Sequence, residues 1–359
     1  MNLWSSELSK LAANALLAQR ISSINALSAI CEGTGADIDE VAYACGLDSR
    51  IGPRMLKAGP GFGGSCFQKD VLSLVYLSQS LHLPEVAEYW RSIITINDHQ
   101  KARFVKRITH AMFNNLTNKK IAVLGFAYKK DTGDTRQSAS IDLVLALADE
   151  SAEVAIYDPV VEEKQIWTAL EEKSQFGRRI KRVRVCQGAY ECCLDADAVV
   201  IMTDWEEFSN MGCIAQSTPA TEGPPMLLDP DRVGVSQLAT SASTASIRSL
   251  SGKLERVLFS GQDGIATPTV NAPPRRSSSV TDDRATRRRT QASYDEHFEE
   301  SHVEYDSHHI QRLDWDRIAC GMRRPKYVFD GRNIMDVAKL EKLGFQVEAI
   351  GKSSKPLRS

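Results

Sequence analysis

The hydrophobic pattern of this chain changes its period once, near residue 117, and that change limits the folds open to it. Up to about residue 115, apolar residues recur every three or four positions, which is typical of amphipathic helices. From Lys120 onward, short apolar runs at 120–124 and 154–157 flank a helical segment that begins near Ser138. This alternation is that of a βαβ unit, so we predict an α/β fold in which an all-helical region precedes a parallel sheet.

Four further apolar runs extend this sheet. Those at 183–186 and 198–202 precede a long polar stretch, and those at 327–329 and 345–350 follow it. They predict a Rossmann-like architecture. The stretch itself is rich in Ser, Thr, Pro, Ala and Arg, and has too few apolar residues to form a core, so we expect a mostly disordered insertion. The predicted domains are a helical domain at 1–116, a Rossmann-like domain at 117–215 and 313–352, the insertion at 216–312, and a tail at 353–359.

Composition excludes several classes of protein. The net charge of −2 gives no general attraction to nucleic acid or anionic lipid, and 42% hydrophobic residues are ordinary for a globular chain. The first ten residues lack the features of a signal peptide, and no apolar run is long enough to span a membrane. We therefore expect a cytoplasmic protein with reduced thiols and with no membrane, nucleic-acid or metal site.

A loop rich in Gly and Pro follows the second predicted helix, and its Gly59, Gly61 and Gly64 match the G-x-G-x-x-G pattern of dinucleotide-binding loops. That pattern requires an apolar strand directly before it, whereas the polar segment 54–57 stands there. An amphipathic helix follows, with no second strand closed by an acidic residue. We therefore interpret the glycines as allowing the backbone to approach another ligand closely.

Cys66 ends this loop, in the first turn of a helix predicted to begin at Phe67. The partial positive charge of a helix N-terminus, with Lys69 nearby, favours a reactive thiolate there. The other cysteines fit the commoner role of a small buried hydrophobe. These are Cys31, Cys45, Cys186, Cys192, Cys193, Cys213 and Cys320.

Three polar residues could assist such a thiol. Lys10 and Asn14 are four residues apart on the first helix and therefore share a face, where they could hold an oxyanion or a proton in transit. Asp70 lies one turn after Cys66, where a carboxylate could orient water. A solvated lysine and a plain surface acid are the alternatives.

A second basic cluster, containing Lys129, Lys130 and Arg136, follows the first strand of the sheet. Open α/β folds bind ligands at that carboxyl edge, so these cations could meet phosphates or a sugar ring. Arg332 likewise follows a strand, where it could bind a diphosphate or sugar hydroxyls with two parallel hydrogen bonds. A solvated basic loop is the open alternative for the first cluster.

Five segments together closely resemble UDP-glucose 6-dehydrogenases of the UDP-glucose/GDP-mannose dehydrogenase family. They are WSSELSKLAANALLAQRISSINALSAICE, GFGGSCFQKD, KKIAVLGFAYKKDTGDTR, VFDGRN and LGFQVEAIGK. The resemblance is nearly continuous from Asn2 to about Thr203 and resumes from about Leu313 to Lys352. Segment 65–68 resembles the UDP-glucose type more than the types that oxidise GDP-mannose or UDP-N-acetylmannosamine.

The resemblance implies oxidation of UDP-glucose to UDP-glucuronate with two NAD, with Cys66 as nucleophile of a thiohemiacetal and a thioester. Lys10 and Asn14 would handle the C6 oxygen and Asp70 would position water. Arg136 matches a position that contacts the cofactor. Positions that bind the UDP-sugar are matched by Arg50, Lys57, Phe62, Gly63, Lys129 and Arg332.

The family also implies a homodimer or larger homo-oligomer, with the first helix at its core and Arg50 and Arg332 acting across the interface. Members carry an NAD-binding domain, with a glutamate needed for the thioester chemistry, ahead of the segment WSSELSK. We therefore expect this chain to be truncated and to reduce no NAD when expressed alone. The alternatives are a non-catalytic fragment that binds UDP-sugars or modulates oligomers, and an interaction protein built on the Ser- and Arg-rich insertion.

Overall fold

Four helices form the N-terminal part of the computed structural model, which describes residues 1–174, 179–211 and 311–353. The predicted insertion lies outside these ranges, apart from residues 311 and 312. Cys213 and the tail after residue 353 also lie outside them. No helix within the described residues is both long enough and apolar enough to cross a bilayer. The helices are α1 (Leu3–Thr34), α2 (Ile38–Gly46), α3 (Ser65–Ser80) and α4 (Pro84–Ala111).

The long helix α1 organises this region by packing against α3 and α4 through small buried residues, among them Ala15 and Ala18. Small side chains let the helix axes approach closely. The helix begins earlier than its pattern suggests, because the side chain of Asn2, and not that of Ser5 or Ser6, caps it by accepting a hydrogen bond from the Ser5 amide (2.8 Å). Asparagine caps a helix N-terminus as well as serine does.

Six parallel strands form one sheet in the order β3-β2-β1-β4-β5-β6, so the α/β architecture is confirmed. Every predicted strand is present to within one or two residues. The strands are β1 (Lys120–Leu124), β2 (Glu153–Tyr157), β3 (Val183–Val185), β4 (Ala198–Ile201), β5 (Lys326–Asp330) and β6 (Phe345–Ala349). The accompanying helices are α5 (Ala139–Asp149), α6 (Glu163–Lys173), α7 (Ala189–Cys193), α8 (Trp315–Gly321) and α9 (Val337–Lys342).

The strand order reverses between β1 and β4, the two central strands, whose residues are all buried. The segments that follow these strands touch at their start, where Thr203 donates to the Ala127 carbonyl (2.7 Å), and a ligand crevice is expected beyond such a reversal of strand order. Ligands of open parallel sheets bind in such crevices. The fold thus places the basic segment after β1 and the segment after β4 on the two sides of one candidate site.

An ion-pair network joins the helical region to the sheet. Glu32 of α1 accepts hydrogen bonds from the guanidinium groups of both Arg103 and Arg107 of α4. Arg107 also donates to Glu348 of β6 (3.1 Å), and Glu32 accepts from the Gly351 amide (2.8 Å). These charges are largely withdrawn from solvent, so they fix α1 and α4 against the edge strand.

Candidate active site

Cys66 stands in the first turn of α3 with its side chain exposed to solvent. The helix begins at Ser65, two residues earlier than predicted, because Gly64 adopts a positive φ of 85° and acts as the N-cap. Only glycine takes that conformation without strain. The Sγ atom lies 3.9 Å from the Ser65 hydroxyl. An accessible thiol at a helix N-terminus meets the two conditions for a reactive cysteine.

Most of the other described cysteines have the buried setting expected of them, namely Cys31, Cys186, Cys192 and Cys193. Burial raises the pKa of Cys193 to about 12 and keeps its thiol protonated. Cys45 is half-buried. Cys320 is exposed, so the prediction of a buried hydrophobe is wrong there: it lies on the solvent side of the short helix α8.

Asp70 lies one turn after Cys66 and is buried, with 1% of its side chain exposed, so the alternative of a surface acid is wrong. Its Oδ2 atom accepts hydrogen bonds from Asn14 (2.6 Å) and Lys10 (3.0 Å), both on the predicted shared face of α1. Its Oδ1 atom has no hydrogen-bond partner among the described residues, and only the Lys69 ammonium approaches it, at 3.8 Å. Lys69 therefore forms an ion pair with Asp70.

These neighbours keep Asp70 ionised. Burial acts to raise the pKa of its carboxyl, but the hydrogen bonds from Asn14 and Lys10, with the charges of Lys10 and Lys69, outweigh burial and hold the pKa below its ordinary value. The site therefore carries a buried carboxylate with one oxygen bound by two donors and the other without a hydrogen-bond partner among the described residues, one turn after Cys66.

The loop that precedes Cys66 is packed on both sides. The ring of Phe62 is buried in the helical core, edge-on to Phe67 at 5.7 Å between ring centroids. Gly63 faces the segment after β1 so closely that a Cβ atom there would lie 2.5 Å from the Gln137 carbonyl oxygen. The next amide, that of Gly64, donates to the Arg136 carbonyl (2.9 Å). The structure thus places Phe62 as an anchor of the loop, with its ring turned away from solvent.

Arg332 reaches across the crevice between the two central strands. Its guanidinium donates to the Met202 carbonyl after β4 (2.6 Å) and to the Tyr128 carbonyl after β1 (3.3 Å). A third nitrogen, Nη1, lies beside Gly59 of the Cys66 loop. Burial lowers the pKa of Arg332, and the opposing charges of Asp204 and Asp330 limit this effect. The crevice therefore holds a cation whose position is fixed before any ligand arrives.

Two further predicted cations lie near this crevice. Lys57 places its ammonium 3.8 Å from Asp204, in the segment after β4. Lys129 lies over the Tyr128 ring at 5.4 Å from its centroid, and the same ring packs against Gly64. Lys57, Lys129 and Arg332 thus come together from three segments that are distant in sequence.

Arg136 and Arg50 have similar local bonds but different surroundings. Arg136 donates to both carboxylate oxygens of Asp134 (3.0 Å to Oδ1 and 2.7 Å to Oδ2). The hydrogen bond with Asp134 raises the pKa of Arg136, which also lies within electrostatic reach of the Cys66 thiol. Arg50 binds Asp48 in the same way but is 82% exposed and contacts none of the other predicted site residues.

A cleft of about 1080 Å³ opens beside the thiol, between the start of α1, the length of α3 and the segment after β1. About half of its lining side chains are apolar, including Trp4, Leu8 and Leu72, and Ser65 and Arg136 also line it. The cleft therefore reaches the residue directly before Cys66.

Several residues that shape the site were not predicted. Asn25, Asn97 and Gln100 bind the backbone of the loop from two helices, and Asp204 contacts Lys57. Polar residues on amphipathic helices usually face solvent, so their sequence positions gave no sign of burial. The one available signal was the position of Asp204 directly after an apolar strand, at the edge where ligands bind.

Two domain models of one family match this chain. The central domain of the UDP-glucose/GDP-mannose dehydrogenase family matches residues 4–99, and its UDP binding domain matches residues 122–233, a range whose last part lies outside the described residues.

The curated relatives considered next are named UDP-glucose 6-dehydrogenase. UDP-glucose 6-dehydrogenase 2 of Arabidopsis thaliana is 56% identical over 221 residues, which cover 58% of this chain and 46% of the relative. UDP-glucose 6-dehydrogenase 1 of Oryza sativa subsp. japonica is 40% identical over 363 residues, which cover 98% of this chain and 54% of the relative. The chain spans about half the length of the curated relatives it matches.

Solved structures give a consistent fold. A UDP-glucose dehydrogenase from Pyrobaculum islandicum matches with a TM-score of 0.51 and 28% identity, covering 58% of this chain and 45% of that protein. A UDP-D-ManNAc dehydrogenase from Pyrococcus horikoshii matches with a TM-score of 0.56 over 98% of this chain and 53% of that protein. At 19% identity, the second match speaks for the fold alone.

Proposed function

The chain belongs to the UDP-glucose/GDP-mannose dehydrogenase family, and we propose on that basis that it carries the sugar-nucleotide site and the catalytic thiol of a UDP-glucose 6-dehydrogenase. The observation that carries the proposal is the arrangement around Asp70. Its buried carboxylate is held by Lys10 and Asn14 through one oxygen, one helical turn from the exposed Cys66. A nucleophile, a proton donor and a carboxylate acceptor therefore lie next to one another.

We propose the crevice between β1 and β4 as the site of UDP-glucose. Arg332, Lys57 and Lys129 supply positive charge for a diphosphate, and Arg332 is already oriented by two carbonyl oxygens. Gly63 lies in the loop that leads from this crevice to Cys66, and its lack of a side chain lets that loop pack directly against Gln137 of the segment after β1. The sugar would then reach the thiol while the nucleotide remains at the sheet edge.

Cys66 would act on C6 of the sugar at the aldehyde stage. The thiolate sulfur forms a bond to the carbonyl carbon, and the electrons of the C=O double bond move to the oxygen. Lys10 and Asn14, held together by Asp70, would stabilise that oxygen and give it a proton. The product of this step is a thiohemiacetal on Cys66.

Asp70 would act in the last step, when the thioester on Cys66 is hydrolysed. Water adds to the thioester carbon, the C–S bond breaks, and sulfur leaves as the thiolate. The Oδ1 atom of Asp70 is buried and has no hydrogen-bond partner among the described residues, so we propose that a water molecule next to the thioester is its donor. Because the carboxyl has a lowered pKa, it remains an acceptor at neutral pH.

NAD is the hydride acceptor that we propose for both oxidations, with Arg136 near it. The described residues fit NAD only in part. The carboxylate at the end of β2, which binds a ribose in dinucleotide-binding sheets, is Asp158. Here it accepts hydrogen bonds from the amides of Phe126, Ala127, Val160 and Val161 and from the Trp205 indole. This sheet therefore offers no complete NAD site within the described residues.

We also propose that α1 forms the core of a homodimer. Leu16, Leu27 and Ile30 are exposed although they are large and apolar. Leu16 and Leu27 are about three turns apart and Leu27 and Ile30 about one turn apart, so all three lie on one face of the helix. Arg50 is exposed and oriented by Asp48, as a residue that serves a second subunit's site would be.

Calorimetric titration with UDP-glucose tests the proposed site. We expect binding by the chain and at least about tenfold weaker binding by Arg332→Ala, because a positioned cation is lost. Arg317→Ala is the matched control, since Arg317 stacks on Tyr190 and contacts no residue of the crevice. Absence of binding, or equal affinities for the two variants, contradicts the proposal.

Alkylation of the thiol tests the role of Cys66. Iodoacetamide should modify Cys66 faster than the exposed Cys320, and saturating UDP-glucose should protect Cys66 alone, as read by peptide mass spectrometry. Equal rates at the two cysteines, unchanged by UDP-glucose, would leave the chain without a reactive thiol next to its ligand and would remove the proposed chemistry.

A further inference from the structure

Three buried amide side chains bind the backbone of the loop that leads to Cys66. Asn25 comes from α1, and Asn97 and Gln100 come from α4. Each is no more than 3% exposed, and each has at least one hydrogen bond to a backbone group of residues 59–62. A loop that connects helices usually bonds to its own backbone or to water, so this dependence on remote side chains is unusual.

Asn97 makes the most specific of these contacts. Its Oδ1 atom accepts from the Phe62 amide (2.8 Å), and its Nδ2 atom donates to the Phe62 carbonyl (3.2 Å). One side chain thus satisfies both polar backbone groups of one loop residue, as a neighbouring strand would. Gly61 permits this approach, since a Cβ atom there would lie 3.0 Å from the Asn97 oxygen.

Gln100 and Asn25 hold the other end of the loop at Gly59. Gln100 donates to the Gly59 carbonyl (2.7 Å), and its own oxygen accepts from Arg103 (2.8 and 3.1 Å), so its orientation is fixed. Asn25 accepts from the Gly59 amide (2.9 Å). Both polar groups of Gly59 are therefore bound, just as those of Phe62 are.

Asn25 is only partly satisfied in its buried position. Its Nδ2 atom is buried without a hydrogen-bond partner among the described residues, which is unfavourable for folding. An apolar side chain of similar size would remove that cost but would leave the buried Gly59 amide without its acceptor. What Asn25 adds is the bond to Gly59, the residue beside Arg332 in the crevice.

We infer that Asn97, Gln100 and Asn25 are positioning residues that set the reactivity of Cys66 and the affinity for sugar nucleotide by fixing the backbone of residues 59–62. At one end they hold Gly59 against Arg332. At the other they hold Phe62 two residues before Gly64, the N-cap of α3. The inference rests on the proposed function for the identity of the ligand and on geometry alone for the thiol.

The test compares Asn97→Ala with Ser22→Ala. Ser22 is a buried residue of α1 that donates to the Ile93 carbonyl of α4 (2.9 Å), so its removal breaks a buried contact between the same two helices without touching the loop. Each variant is measured for melting temperature, UDP-glucose affinity, and the rate of Cys66 alkylation by iodoacetamide at a temperature where both are folded.

We expect Asn97→Ala to weaken UDP-glucose binding by at least about tenfold and to slow Cys66 alkylation several-fold, because a released loop no longer fixes the first turn of α3 that carries the thiol. Ser22→Ala should lower the melting temperature and leave both other readouts within about twofold of the unmodified chain. Equal effects of the two variants on affinity and alkylation would overturn the inference.

Gln100→Met provides a second variant that keeps the side-chain volume and removes the bond to the Gly59 carbonyl, and it decides the question if Asn97→Ala does not fold. An unmodified chain that binds no UDP-glucose contradicts the proposed function. The alkylation rates still test the positioning of the thiol in that case, so the two failures are distinguishable.

Discussion

Asp70 gains its chemical character from packing between two helices. Alone in its sequence segment it would be a solvated acid on an amphipathic helix. Contact between α1 and α3 buries it and at the same time supplies Asn14 and Lys10 as donors to one of its oxygens. A buried carboxylate with two such donors remains charged, and its free oxygen is directed by the rigid helices around it.

Asp70→Asn should lower the free energy of unfolding by about 2 kcal/mol at neutral pH, because charged hydrogen bonds are lost. The folded pKa of Asp70 lies below its unfolded value of about 3.8, so this stability is fully present above that value and disappears as pH falls through the folded pKa. Urea unfolding from neutral pH down to about pH 3 should show the two proteins converging. Asp98→Asn, at an exposed acid of α4, should change stability by less than about 0.5 kcal/mol at any pH.

Individual site residues were predictable where local spacing determines their surroundings. The four-residue separation of Lys10 and Asn14 predicts one helix face, and the position of Cys66 after glycines predicts a helix N-terminus. The burial of Asp70 was not predictable, since it depends on how α3 packs against α1. Asn97 lies 35 residues from its loop partner Phe62, so no local pattern could connect the two.

The Glu32 network connects whole elements of the fold. The carboxylate of Glu32 in α1 pairs with Arg103 and Arg107 of α4. Arg107 also pairs with Glu348 of β6. These groups are mostly buried. A carboxylate removed from such a network leaves two poorly solvated cations side by side, which is far more unfavourable than the loss of a surface ion pair.

Glu32→Gln should therefore destabilise the chain by about 3 kcal/mol in equilibrium urea unfolding. Glu88→Gln removes the partner of Arg91 in an exposed pair of α4 and should cost less than about 1 kcal/mol. If both substitutions cost the same, the network does not hold the helical region against the sheet in the way that its geometry indicates.

Helices and strands were predicted accurately where their apolar pattern is strong. Strands of a parallel sheet covered on both faces are continuous apolar runs, and β1 and β4 were found where such runs stand. No helix was predicted for α6. Only Ile166 and Leu170 of its eleven residues are buried, and two apolar positions are too few to show the periodicity of an amphipathic helix. The order of the strands could not be predicted from the sequence either, because it depends on crossover connections that place strands on both sides of β1.

At the scale of the whole molecule, the exposed apolar face of α1 is the feature that the described residues leave without a partner. Leu16 and Ile30 lie 52% and 59% exposed on a helix whose opposite face forms the core of the helical region. Scattered apolar residues are normal on protein surfaces, but a stripe along one face of a long helix marks an interaction site. A symmetric dimer would pair this stripe with itself.

The double substitution Leu16→Glu with Ile30→Glu should therefore convert a dimer into a monomer in sedimentation velocity experiments. Two charges on each helix would meet the same charges of the partner in a surface from which water is excluded, and like charges in low dielectric repel strongly. Leu194→Glu is the control, because Leu194 is 54% exposed but lies next to the sheet, away from α1. An unmodified chain that sediments as a monomer at every concentration, or a double variant that remains dimeric, would show that α1 does not form the interface.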